Sequence, residues 1–168
     1  MRTKPYKIIP TLVVIAVAMG VYWYSSSTIT LSDVQRPERQ YKNITRGFTL
    51  NYPESLSFKE YDEGGGTYTI VFEDEAGEKG FQIFFTPYSE DTITESRILK
   101  DVPSGEFSEP TEVVLGDGTH ALVFFSNGSF GELREVWFVK DGFLYEVTTY
   151  KDLDTWLDEI MKTWKFIE

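Results

Sequence analysis

The chain has 168 residues, a formal net charge of −11 and no cysteine. Without cysteine it forms no disulfide, thiol nucleophile, zinc–thiolate site or lipid-bearing N-terminus. All 27 acids lie beyond residue 24, where they face 13 basic residues, and the resulting net −14 excludes a nucleic-acid binder, whose phosphate contacts need clustered Lys and Arg.

The N-terminus opens with three positive charges, Arg2, Lys4 and Lys7, and then runs apolar from Ile8 to Tyr24. A bilayer core is crossed by about 20 apolar residues, with about 17 as the lower limit, which this run reaches. Ile8, Leu12, Val13, Val14, Ile15, Val17 and Val21 would face lipid. Trp23 closes the run with Tyr22 and Tyr24 at headgroup level. The expectation is a transmembrane signal-anchor over 8–24 in the cell membrane. Residues 1–7 would form a cytoplasmic tip, and the rest would lie outside the cytoplasm, by the positive-inside rule. The rival reading is a cleaved signal peptide ending at Ala16-Val17-Ala18.

Residues 25–40 read as a polar linker. From Tyr41 onward the pattern is that of short strands. Phe48, Leu50 and Tyr52 alternate up to Pro53, and Leu56–Tyr61 alternates again. After Gly64-Gly65-Gly66, the aromatic and β-branched runs Thr67–Glu73 and Gly80–Thr86 predict two more strands. Thr92-Ile93-Thr94-Glu95 is a capping-box pattern that predicts a helix ending near Val102 and burying Ile98, Leu99 and Val102. Four further strands follow at Glu112–Leu115, Thr119–Ser126, Leu133–Lys140 and Phe143–Tyr150. Asp141-Gly142 is a type I′ hairpin signal. Leu153, Trp156, Leu157, Ile160, Met161 and Trp164 keep helical spacing, with Asp152 as N-cap. The expected fold class is therefore α+β: an antiparallel β-sheet flanked by helices in the order ββββ-α-ββββ-α, an α/β/α-type sandwich. One N-terminal transmembrane helix would precede it.

Gly47-Phe48-Thr49-Leu50-Asn51-Tyr52-Pro53 opens this region. Trp137-Phe138-Val139-Lys140-Asp141-Gly142, Leu144-Tyr145-Glu146-Val147 and a terminal helix ending Thr163-Trp164-Lys165-Phe166 close it. With these words, residues 41–168 resemble the Mog1/PsbP-like superfamily, in particular its membrane-anchored bacterial members. Those members often carry Trp where this chain has Leu56. The resemblance implies an antiparallel sheet flanked by helices that serves as a binding or assembly module. One branch supports photosystem assembly and another binds a small GTPase, and no binding motif of either branch is present here.

The search for chemistry is short. His120 is the single histidine, and no G-x-S-x-G elbow accompanies it. The acid runs Asp62-Glu63 and Glu73-Asp74-Glu75 lack the spacing of a calcium loop. Phe107 and Phe130 lie in the loops 104–110 and 127–132 and are the candidate partner surface. The functional expectation is a membrane-tethered, extracytoplasmic, non-catalytic module without cofactor. It would be bound to the lipid bilayer by its N-terminal helix and to an envelope protein by its domain. The alternatives are a small hydrolase using His120 or paired acids, and a Ca²⁺- or ligand-responsive sensor.

Overall fold

The computed structural model describes residues 38–102, 104–128 and 131–167. Ten strands run β1 (Glu38–Asn43), β2 (Phe48–Pro53), β3 (Ser57–Gly64), β4 (Thr67–Glu73), β5 (Gly80–Pro87), β6 (Thr111–Val114), β7 (His120–Gly128), β8 (Gly131–Lys140), β9 (Phe143–Tyr150) and β10 (Lys165–Phe166). Helix α1 (Glu95–Asp101) lies between β5 and β6, and α2 (Asp154–Met161) between β9 and β10. The strands form two sheets, a small one in the order β1-β2-β10 and a seven-stranded one in the order β3-β4-β5-β9-β8-β7-β6.

This overturns the α/β/α-type sandwich expected from sequence. Among the described residues the chain is mostly β, the sheets are two, and the α-helices are only 7 and 8 residues long. The first expected strand leaves the main sheet. Residues 48–53 pair with β1 and β10 instead of with β3. β1 was hidden because Glu38-Arg39-Gln40-Tyr41-Lys42-Asn43 buries only Tyr41, so its first residues read as linker. The anchor expected over residues 8–24 lies outside the described residues. Among the described residues no helix is long and apolar enough to cross a membrane.

Every pairing in the large sheet is antiparallel. Short turns join consecutive strands, as short connections require. The exception is the passage from β5 through α1 to the far edge at β6. From there β7, β8 and β9 step back until β9 closes on β5. The small sheet and α2 cover one face of the large sheet. Phe48, Leu50 and Tyr52 of β2 meet Phe85, Phe138 and Tyr145 there, with Leu157, Ile160 and Met161 from α2. Trp164 lies flat on Phe48, with ring centroids 4.3 Å apart and planes at 10°. Such pairs add about 0.5–1.5 kcal/mol beyond the area they bury.

Helix α1 covers the opposite face. Ile98 and Val102 pack on Phe124, Trp137 and Leu144, while Leu99, expected inside, is 49% exposed. Its N-cap is Thr94, whose hydroxyl accepts the Arg97 N–H at 3.2 Å. The capping box expected from Thr92 and Glu95 does not form, since Thr94 is the cap and the residue three positions on is Arg97. Helix α2 likewise starts without Asp152 as its cap. Lys151–Leu153 forms a 3₁₀ turn, and Leu153 holds the N-cap position without a side-chain hydrogen bond. Burial of an apolar face sets where this helix begins, and local capping does not.

Candidate functional site

Two places concentrate chemistry, one on each face of the large sheet. Under α1, Glu135 of β8 and Glu146 of β9 point to the same face. Their partners across the ladder are Thr148 and Trp137. Glu135 is buried among donors. Ser126 Oγ donates to its Oε1 at 2.8 Å, and Thr148 Oγ1 and Trp137 Nε1 donate to its Oε2 at 2.7 and 3.1 Å. Burial pushes its pKa up, and these three donors oppose that push.

Glu146 is held well above the usual carboxylate range. Burial is the main cause, the negative charges of Asp101 and Glu135 add to it, and Arg97 opposes it. Arg97 pairs through Nε with Asp101 Oδ2 one helical turn on, and its Nη2 stands 3.7 Å from Glu146 Oε1. The Arg97 guanidinium also lies 5.2 Å from the Tyr88 ring centroid. This cluster fastens α1 to the sheet. Each carboxyl is committed to a neighbour within the fold.

The second place is open. At one end of the sandwich the β1–β2 loop, the β8–β9 turn and the segment after β10 surround a groove of 340 Å³. Gly47 has φ +65, and a Cβ there would stand 3.2 Å from the Ile167 carbonyl oxygen, so the loop and the last strand approach closely only with glycine. The Ile167 N–H donates to the Gly47 carbonyl at 2.6 Å. On the other wall Asp141 and Gly142 both take positive φ, as the Asp-Gly turn predicted. Asp117 holds the last strand in place by accepting the Phe166 N–H at 3.0 Å and the Thr119 N–H at 2.9 Å.

Arg46 dominates this groove. Its guanidinium carbon sits 3.7 Å from the Phe143 ring centroid and 5.4 Å from that of Phe85, and Nη2 donates to the Gly66 carbonyl at 3.4 Å. Stacked cations of this kind gain about 0.5–2 kcal/mol according to burial. Tyr145 lies at the base. Burial raises its pKa to about 12, and the positive charge of Arg46 opposes the rise. At the mouth Ile44 is 82% exposed and Ile167 37%. A cation fixed between apolar walls suits a ligand that brings both a negative charge and hydrocarbon.

The residues singled out from sequence lie elsewhere. Phe107 is partly buried, makes a bridge to Ser126, and sets its ring edge-on to Phe124 at 5.8 Å. Phe130 is outside the described residues, as are Ile8, Leu12, Val13, Val14, Ile15, Val17, Val21 and Trp23 of the expected anchor. His120 starts β7, largely exposed, with Nδ1 2.5 Å from Glu112 Oε1. Among the described residues no group of three or more His, Asp and Glu side chains could hold a metal ion. Sequence reasoning missed Glu135, Glu146 and Arg46. The first two did leave a signal, an acid in the middle of an apolar strand in Leu133-Arg134-Glu135-Val136-Trp137 and in Leu144-Tyr145-Glu146-Val147. Arg46 left none, because its groove is assembled from three distant segments.

No family model matches this chain. No curated protein matches it. Among solved structures it is similar to the solution structure of cyanobacterial PsbP (CyanoP) from Synechocystis sp. PCC 6803, with a TM-score of 0.55 and 14% identity over 85% of this chain and 98% of that one. At that identity the likeness is one of fold, and it bears out the PsbP-like fold read from sequence.

Proposed function

We propose that this chain is a non-catalytic binding or assembly module that engages a protein partner through the groove at the β1–β2 end. One observation carries the reading. The open concavity is walled by Ile44, Phe143 and Ile167 around a stacked cation, while the acids capable of proton transfer lie on the other face, committed beneath α1. A PsbP-like fold is in keeping with such a role. The partner being an envelope protein and the domain lying outside the cytoplasm belong to the same proposal. Both rest on the basic tip and apolar run of residues 1–24, outside the described residues.

The test is site-specific cross-linking in cells. A photoreactive residue at Ile44 should capture one protein species, and the same probe at Leu99, on α1, should not. Capture of the same species from both positions, or of none from Ile44, removes the groove from this function.

A further inference from the structure

We infer that α1 is a proton-dependent latch: it lies on the sheet while Glu146 carries a proton and lifts away when that proton is lost, uncovering an apolar patch of Phe124, Trp137 and Leu144. This concerns the face opposite the groove and is independent of the protein-binding reading. A division of partners between the two buried acids carries it. Glu135 takes its donors from Ser126 on β7, Trp137 on β8 and Thr148 on β9, so its site is complete within the sheet. Glu146 instead turns to α1, where it meets Arg97 and Asp101. Its Oε1 and the Asp101 Oδ2 are both buried without a hydrogen-bond partner. The Arg97 guanidinium is the cation they share.

An ionised Glu146 sets two buried carboxylates on one guanidinium, and a buried charge without full compensation is relieved by water. Little else holds the helix. Its 7 residues are too few to persist alone. It buries Ile98, its C-cap Val102 adds a second anchor, and Leu99 faces solvent. Among the described residues its ion pair to the sheet is Arg97–Glu146. Elements held this sparsely are the ones that open locally. The other groups near this point do not compete for the switch. Glu95 and Lys100 lie on the exposed side of α1. Phe84, opposite Glu146 on β5, carries no charge. The Tyr88 hydroxyl, in the segment after β5, donates to Glu90 and to the Thr92 carbonyl, and burial raises its pKa above the ordinary 10. Glu146 is raised by burial and by its acidic neighbours, so α1 is docked at low pH and released as pH rises through the folded value.

The chain has no cysteine, so a single introduced thiol reports its own exposure. Full-length Val102→Cys, Leu99→Cys and Ile83→Cys proteins would be labelled with a maleimide from pH 5 to 9. Val102 is buried at the end of α1, Leu99 is exposed on it, and Ile83 is buried on the opposite face. The ratio of labelling at Val102 to that at Leu99 cancels the titration of the thiol itself. It should rise above the folded value of Glu146 by about tenfold per pH unit, the change that one proton produces. Ile83→Cys should stay protected, and adding Glu146→Gln should flatten the ratio. A flat ratio with Glu146 present, an equal rise at Ile83, or a rise that persists in Glu146→Gln would each overturn the inference. Because a buried thiol can itself loosen the helix, amide exchange in the cysteine-free chain, corrected for its intrinsic pH dependence, gives a second reading. The Val102 amide, bonded to the Ile98 carbonyl, should lose protection over this range while the Val147 amide in β9 keeps it, and unchanged protection at both would also overturn the latch.

Discussion

Glu146→Gln tests the account of the cluster beneath α1. Glu146 keeps its proton in the folded chain well above its ordinary value of 4.5, through burial first and then the charges of Asp101 and Glu135. The folded state therefore binds more protons than the unfolded chain above pH 4.5. Stability is full below that pH and falls as pH rises toward the folded value. While the difference is one proton, the loss is about 1.4 kcal/mol per pH unit. For a domain of this size 1 kcal/mol moves Tm by about 4 °C, so the contribution of this one group is about 5 °C per pH unit. Glutamine has the same shape and does not titrate. Thermal melts of both proteins from pH 4 to 8 should coincide near pH 4 and diverge as pH rises, with the variant the more stable. Glu135, whose pKa is also raised by burial, contributes the slope that the variant retains. Parallel Tm curves between pH 5 and 7 would refute a protonated Glu146.

Other perturbations probe the core and its attachments. Trp164→Ala removes a fully buried ring stacked on Phe48 and edge-on to Phe138. Chemical denaturation should show a loss of about 3–5 kcal/mol, and a loss below about 1 kcal/mol would mean the site collapses freely. Asp154→Ala strands the buried Arg134 guanidinium, whose Nε lies 2.7 Å from Asp154 Oδ1. It should cost more stability than Arg134→Met, which removes the charge and keeps the apolar stem. Phe107→Ala should lower Tm, because the ring packs on Phe124, at a cost of about 1–2 kcal/mol. An unchanged Tm together with weaker partner binding would restore the surface role that its loop position first suggested.

The elements with strong periodicity were legible. The alternation of Phe48, Leu50 and Tyr52, the Asp141-Gly142 turn and the apolar face of α2 all appear where local sequence places them. Long-range pairing was not legible. β10 is two residues long, and only its register with β2, Lys165↔Thr49 and Phe166↔Phe48, makes it a strand. Trp164 looked like the last residue of a helix. It lies beyond α2, in the turn that leads to β10, and reaches the same core from there. The division into two sheets depends on which strand β2 abandons, a choice settled by aromatic packing across the core and not by any local signal. The same applies to Arg46, whose partners Phe85 and Phe143 lie on strands far along the chain. Glu135 and Glu146 are a different case. Their strand positions were readable, and only the arrival of α1 on that face brought Arg97 and Asp101 to Glu146.

The direction of β1 has a mechanical consequence. The strand begins at Glu38, opposite Pro53, and ends at Asn43 beside the loop that forms the groove rim. Six residues at about 3.3 Å each separate these points by roughly 20 Å. The chain therefore arrives at one end of the small sheet, and the rim opens at the other. A pull between an occupant held near Ile44 and the chain before Glu38 runs along β1 itself. Such tension would load the hydrogen bonds to β2 together, in shear along the strand, and would not peel them apart one at a time.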